Sequence, residues 1–157
     1  MQKNKKKIVL VTIFIAYFLF LIKAILFKYP YEMLIDSLQF TNFDYIKRRL
    51  LIGSNFIPLK TILSYMNAIS YSNSGNAKIN LYANLLLFMP LGFLIPLIFK
   101  KINNYKKIFF IAFSISLLFE AIQLIFGIGT FDVDDLILNT LGAIIGLLIF
   151  KLIKYIN

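Results

Sequence analysis

The chain has 157 residues, 60% of them hydrophobic and 15% charged, with a mean hydropathy of +0.81. A soluble chain averages about half apolar and about a quarter charged, so this composition indicates an integral membrane protein and excludes a small soluble globule or a disordered tail. With no Cys and no His, disulfides, thiolate zinc sites, histidine bases and histidine metal ligands are excluded too. The formal charge of +10 comes from 17 Lys and Arg against 7 Asp and Glu. Most of these lysines flank apolar runs and no nucleic-acid-binding pattern is visible, so the excess reads as a membrane orientation signal.

In chain order, the first apolar run covers residues 8–27, broken only by Lys23, which can snorkel to the headgroups. Lys3, Lys5, Lys6 and Lys7 precede it as they would in a secretory signal. The run is too long for an h-region, however, and the stretch from Lys23 to Pro30 offers no small-residue cleavage site. It reads as an uncleaved signal anchor.

A long loop, 28–78, follows. Its Lys47, Arg48 and Arg49 read as a solvated or headgroup-facing charge run. Leu59, Ile62, Leu63, Met66 and Ile69 recur at helical spacing opposite Lys60, Thr61, Ser64 and Asn67, with Pro58 suited to a first turn and Asn55 near the cap. This predicts an amphipathic helix on the membrane face or capping the bundle. Residues 71–76 form a turn.

Three further runs cover 79–99, with Asn80, Asn84, Pro90 and Pro96; 108–126, with Glu120 and Gln123; and 133–152, opening on Asp134 and Asp135. The predicted fold class is therefore an all-α membrane protein, a bundle of four transmembrane helices forming one domain over 1–157, with an extracytoplasmic loop that carries the amphipathic helix. The N-terminal tail, the 100–107 turn and the C-terminal Lys151 and Lys154 supply ten basic residues and no acidic one. The positive-inside rule then places both termini in the cytoplasm.

At about 1.5 Å per residue, Asn84, Glu120 and Asn139 lie about 6–9 Å beneath one membrane face, each on a different span. Ala112, Ser116, Glu120, Gln123 and Gly127 share one helix face, and so do Asp135, Asn139, Gly142 and Gly146. Polar groups facing lipid are costly, so both stripes should face the bundle interior. Glu120, Asp132 and Asp135 are the candidate catalytic carboxylates, and Asn55, Asn84, Gln123 and Asn139 the candidate ligand-binding residues.

Each has a structural reading beside the functional one. Glu120 would serve as interhelical glue to Asn84 or Asn139. Asp132 would cap the fourth span, with Asp135 three positions on as in a capping box, both complementing the helix dipole. Gly142 and Gly146 form a GxxxG packing step, and Pro90 bends the second span while freeing the Leu86 carbonyl.

The ordered set Asn55 and Pro58; Asn84, Pro90 and Gly92; Glu120 and Gln123; and Asp132, Asp135, Asn139 and Gly142 resembles the VanZ-like family of small bacterial membrane proteins over roughly residues 50–146. Asp134 stands where relatives often differ. Many relatives carry an Arg shortly before the first Asp, whereas this chain has Gly127, Ile128, Gly129, Thr130 and Phe131 there. The resemblance implies a multi-pass protein of the bacterial cell membrane, accessory to resistance against teicoplanin-type glycopeptides. Its implied partners are the lipid bilayer and a lipid-linked cell-wall precursor or glycopeptide, with no cofactor and no nucleic acid; no metal is specified. The alternative is an intramembrane enzyme using Glu120 with Asp132 and Asp135 on an envelope substrate.

Overall fold

The computed structural model describes residues 2–27, 35, 39 and 42–156. Its helices are α1 (Gln2–Leu26), α2 (Phe43–Arg48) running into a π-helical turn over Arg49–Gly53, α3 (Lys60–Ser72), α4 (Gly75–Ile98), α5 (Tyr105–Ile125) and α6 (Val133–Ile156). Four of them, α1, α4, α5 and α6, are long and apolar enough to cross a membrane. Among the described residues there is no strand, only an isolated parallel bridge between Asn55 and Asp132. Lys28, Tyr29 and Pro30, at the end of the first apolar run, lie outside the described residues.

Local chemistry sets the helix ends. α4 starts at Gly75, before its apolar run, because Ser74 caps it by accepting the Ala77 N–H. Asn104 caps α5 in the same way, its Oδ1 2.8 Å from the Lys107 nitrogen. α5 ends where Gly127 turns left-handed at φ 69°, a conformation that suits a residue without Cβ.

α4 and α6 run parallel and form the tightest pair. A Cβ added to Gly92 would sit 1.8 Å from the Ala143 carbonyl oxygen; one on Gly142 would be 2.0 Å from that of Leu85, and one on Gly146 1.9 Å from that of Met89. The GxxxG step of α6 therefore packs on α4, the second span, rather than on the third. No side chain fits between these backbones.

α1 and α5 run the opposite way. Tyr17 donates to the Leu87 carbonyl at 2.7 Å, tying α1 to α4, and Gln123 donates to the Ile25 carbonyl at 3.1 Å, tying α5 to α1. The buried core holds Leu21, Phe88, Leu91, Ile108, Ala112, Ala143 and Leu147. Many of the remaining large apolar side chains on the spans are exposed, as the outer surface of a bundle in lipid must be.

This arrangement gives the molecule two unlike ends. One carries Lys100, Lys101, Lys106 and Lys107 with the end of α6, where the Lys151 ammonium lies 3.6 Å from the Tyr105 ring centroid. The other carries the start of α6, the ends of α1 and α5, and the 54–72 segment.

Candidate functional site: a polar cavity at one end of the bundle

Both polar stripes are turned inward. Ala112, Ser116, Glu120 and Gln123 on α5 are buried, as are Asn139, Gly142 and Gly146 on α6. They leave two adjoining chambers. The inner one, about 150 Å³, is lined by Asn84, Glu120, Gln123, Asp135 and Asn139, with Ala24 and Ile25 of α1. The outer one, about 470 Å³, shares Asn80, Asn84, Gln123 and Asp135 and adds Tyr65, Asn76, Thr130 and Asp132. Asn80, Asn84, Gln123 and Asp135 belong to both, so the two chambers share a polar wall. Among the described residues, no Lys or Arg lines either.

The start of α6 organises the rim. Asp132 caps α6, its Oδ1 accepting the Asp134 N–H at 2.9 Å. The same carboxylate accepts from Asn55 Nδ2 at 2.9 Å and from the Thr61 hydroxyl at 2.7 Å. Asn55 is also bonded through its backbone, donating to the Phe131 carbonyl and accepting from the Val133 N–H at 2.8 and 2.9 Å. The loop and the start of α6 thus meet at every level, down to the stacked Phe56 and Phe131 rings.

The capping box does not form as the spacing suggests. The Asp132 N–H, which a carboxylate at position 135 would have reached, donates instead to Glu120 Oε2 at 2.9 Å. A side chain from α5 thereby does the work the box assigned to α6, and Asp135 accepts from the Asn84 amide. The glue reading of Glu120 changes accordingly: Asn139 donates to Ser116 at 2.9 Å, and Glu120 holds the backbone of the α5–α6 turn. Asn139 is 3% exposed and lines the inner chamber, and its Oδ1 finds no hydrogen-bond partner among the described residues.

Asp134, ranked low from the sequence, is a principal anchor. It is fully buried and accepts the backbone N–H groups of Leu59, Thr61 and Ile62, the last two at 2.7 and 3.1 Å. α3 has no side-chain cap of its own; its first turn starts from Leu59 in a left-handed conformation at φ 68°, with Pro58 just before it. Asp134 caps α3 from another helix, which satisfies otherwise orphaned donors and matches the positive end of its dipole. The predicted apolar stripe of α3 is divided: Ile62 and Ile69 are half-buried, whereas Leu59, Leu63 and Met66 are about half exposed.

Arg49 leaves the predicted charge run. Lys47 and Arg48 are exposed, but Arg49 is half-buried, packs on the Tyr45 ring and donates to the Gly127 carbonyl. The cation missing from residues 127–131 is thus brought to that turn from the first loop. Of the residues not singled out from sequence, Asn80 carried the clearest signal, lying one helical turn before Asn84 on the same face. Tyr65 and Thr61 carried none, because their place depends on where α3 docks.

The fold and this cavity define a small helical membrane protein of four spans, whose polar side chains converge at one end of the bundle. The VanZ/LLP1 family model matches residues 14–154. Over 136 residues the sequence is 32% identical to Protein VanZ of Enterococcus faecium, covering 87% of this chain and 70% of that protein. The chain belongs to the VanZ/LLP1 family, and it is a VanZ-like, multi-pass membrane protein. No solved structure matches it.

Proposed function

We propose that this protein is an accessory factor of the cell envelope that lowers the action of teicoplanin-type glycopeptides, and that the polar cavity is where a glycopeptide or lipid-linked cell-wall precursor meets it. The observation that carries this reading is the convergence of Asn84, Glu120, Gln123, Asp135 and Asn139 on one chamber, in a chain of this family. The orientation follows from the lysines. With ten basic and no acidic residues in the tail, the 100–107 turn and the C-terminal helix end, that side is cytoplasmic and the cavity faces outward.

The hydrogen bonds divide the labour among the candidate residues. Asp132 and Asn55 are engaged with each other and with Thr61, so they shape the rim. Asn84, Asp135 and Asn139 form the floor that a ligand would read, and Gln123 sets one wall through its bond to α1. The test is expression in a glycopeptide-sensitive Gram-positive host, with membrane insertion confirmed. A several-fold rise in teicoplanin inhibitory concentration, lost in Asp135→Asn at equal expression, is expected; an unchanged concentration for the wild-type chain would refute the proposal.

The enzyme reading has one observation in its favour, the presence of Glu120 and Asp135 in the same chamber. It requires turnover. Liposomes carrying the protein and a radiolabelled lipid-linked precursor would yield a new product, and protection without any product excludes it.

A further inference from the structure

The lysine end of the bundle holds a second cavity, of different chemistry and remote from the first. It is a slot of about 390 Å³ between the last turns of α4 and α6, walled by Phe93, Pro96 and Leu97 on one side and Phe150 and Ile153 on the other. Lys100, Asn103 and Lys154 stand on its rim. The sequence explains why a slot opens there. At Gly92, Gly142 and Gly146 the backbones of α4 and α6 touch. Past the last of these glycines the facing residues are large: Phe93 and Phe150 meet edge to face at 6.1 Å, and Pro96 lines the gap. The slot thus lies beyond the glycine contacts, where large side chains of the two helices face each other.

We propose that this slot binds one anionic diacyl phospholipid, one of its two acyl chains between the aromatic walls and its phosphate at Lys100 and Lys154. Apolar walls beneath a basic rim match an amphiphile with a negative head. The charge complementarity is one-sided, because the ten basic residues of this end share their segments with no acidic residue that could neutralise them. Lysine suits the task as a point charge on a long apolar stem that reaches the headgroup level. Asn103 adds a neutral polar group at the same rim. The proposal is independent of what the polar cavity does.

The experiment uses the full chain purified in a neutral detergent, its unfolding midpoint followed while dioleoyl phosphatidylglycerol, dioleoyl phosphatidylcholine or sodium phosphate is titrated. Phosphatidylglycerol should raise the midpoint saturably, and the other two should not. In Lys100→Gln and Lys154→Gln the half-saturating lipid concentration should rise on the order of fivefold each, the effect of a single lysine near an anionic headgroup. The double variant Lys106→Gln/Lys107→Gln removes the same charge as the slot double variant Lys100→Gln/Lys154→Gln, but outside the slot, and should keep the wild-type response. Native mass spectrometry should find one retained phosphatidylglycerol per wild-type chain and none in the slot double variant. Equal stabilisation by phosphatidylcholine, a response to phosphate alone, or an equal loss in the control pair would each overturn the proposal.

Discussion

Replacing Asp134 probes the fold at its least replaceable hydrogen bonds. The fully buried carboxylate accepts three backbone N–H groups that open α3 and projects from the first turn of α6, so two helix N-termini meet one negative charge. Hydrogen bonds to a charged group contribute about 1.5–3 kcal/mol each, but bonds sharing one acceptor group do not add. Losing an ordinary helix cap costs about 0.5–2 kcal/mol, whereas removing one side of a buried charge interaction costs about 3–5 kcal/mol. Asp134→Ala strands three donors at once, and its expected cost is about 3–5 kcal/mol by the second comparison. Asp134→Asn should cost nearly as much, since its amide nitrogen would face N–H donors. The loss should be local, because the backbone packing of α4 on α6 through Gly92, Gly142 and Gly146 lies elsewhere. Hydrogen exchange in detergent should speed up across residues 59–72 before it does in α4 or α6, and limited proteolysis should cut in that segment first. Exchange in Asp134→Asn no faster than in the exposed-site control Asp44→Asn would refute this account.

Other substitutions separate packing from chemistry. Glu120→Gln keeps an oxygen for the Asp132 N–H, so stability in detergent should stay within about 1 kcal/mol of wild type; glycopeptide protection in the host should nevertheless fall to background, and full protection would remove Glu120 from the site. Gly142→Leu forces a side chain onto the Leu85 carbonyl and should cost about 3 kcal/mol or more, lowering yield first; a normal yield and midpoint would refute the packing account. Tyr17→Phe removes the α1–α4 hydrogen bond to Leu87 and should cost about 0.6 kcal/mol, the average for interhelical bonds in membranes, measured as a small shift in denaturation midpoint.

The sequence revealed what depends on periodicity and solvent. Four apolar runs yielded the four spans, and steps of three and four placed Ser116, Glu120 and Gln123 on one buried face, and Asn139, Gly142 and Gly146 on another. It could not reveal partners that arrive from distant parts of the chain. Asp134 looked replaceable because the groups that need it are backbone N–H groups more than seventy positions earlier, and backbone groups leave no signature in the residue types. The spacing of Asp132 and Asp135 did suggest a capping box. Glu120 on α5 took the box's place because the short turn between α5 and α6 brings its carboxylate to the same N–H. Arg49 was hidden in the same way, its half-burial decided by Tyr45 one turn before it and by the Gly127 carbonyl at the far end of α5.

The distribution of hydrogen bonds also bears on the binding role proposed for the cavity. The rim is fastened by multiple bonds: the paired backbone bridge at Asn55, the four-way contacts of Asp132, and the three-donor clasp of Asp134. On the floor, Asn139 is bonded through one amide atom only among the described residues. A site built to bind needs a rim that keeps its shape while the floor retains hydrogen-bonding capacity for the ligand. Tyr65 couples the two, because it lines the outer chamber from α3, the helix that Asp134 pins in place. Releasing α3 therefore removes a wall of the cavity without touching its floor. Binding should fail in Asp134→Ala through loss of shape, and in Asp135→Asn through loss of charge with the shape intact.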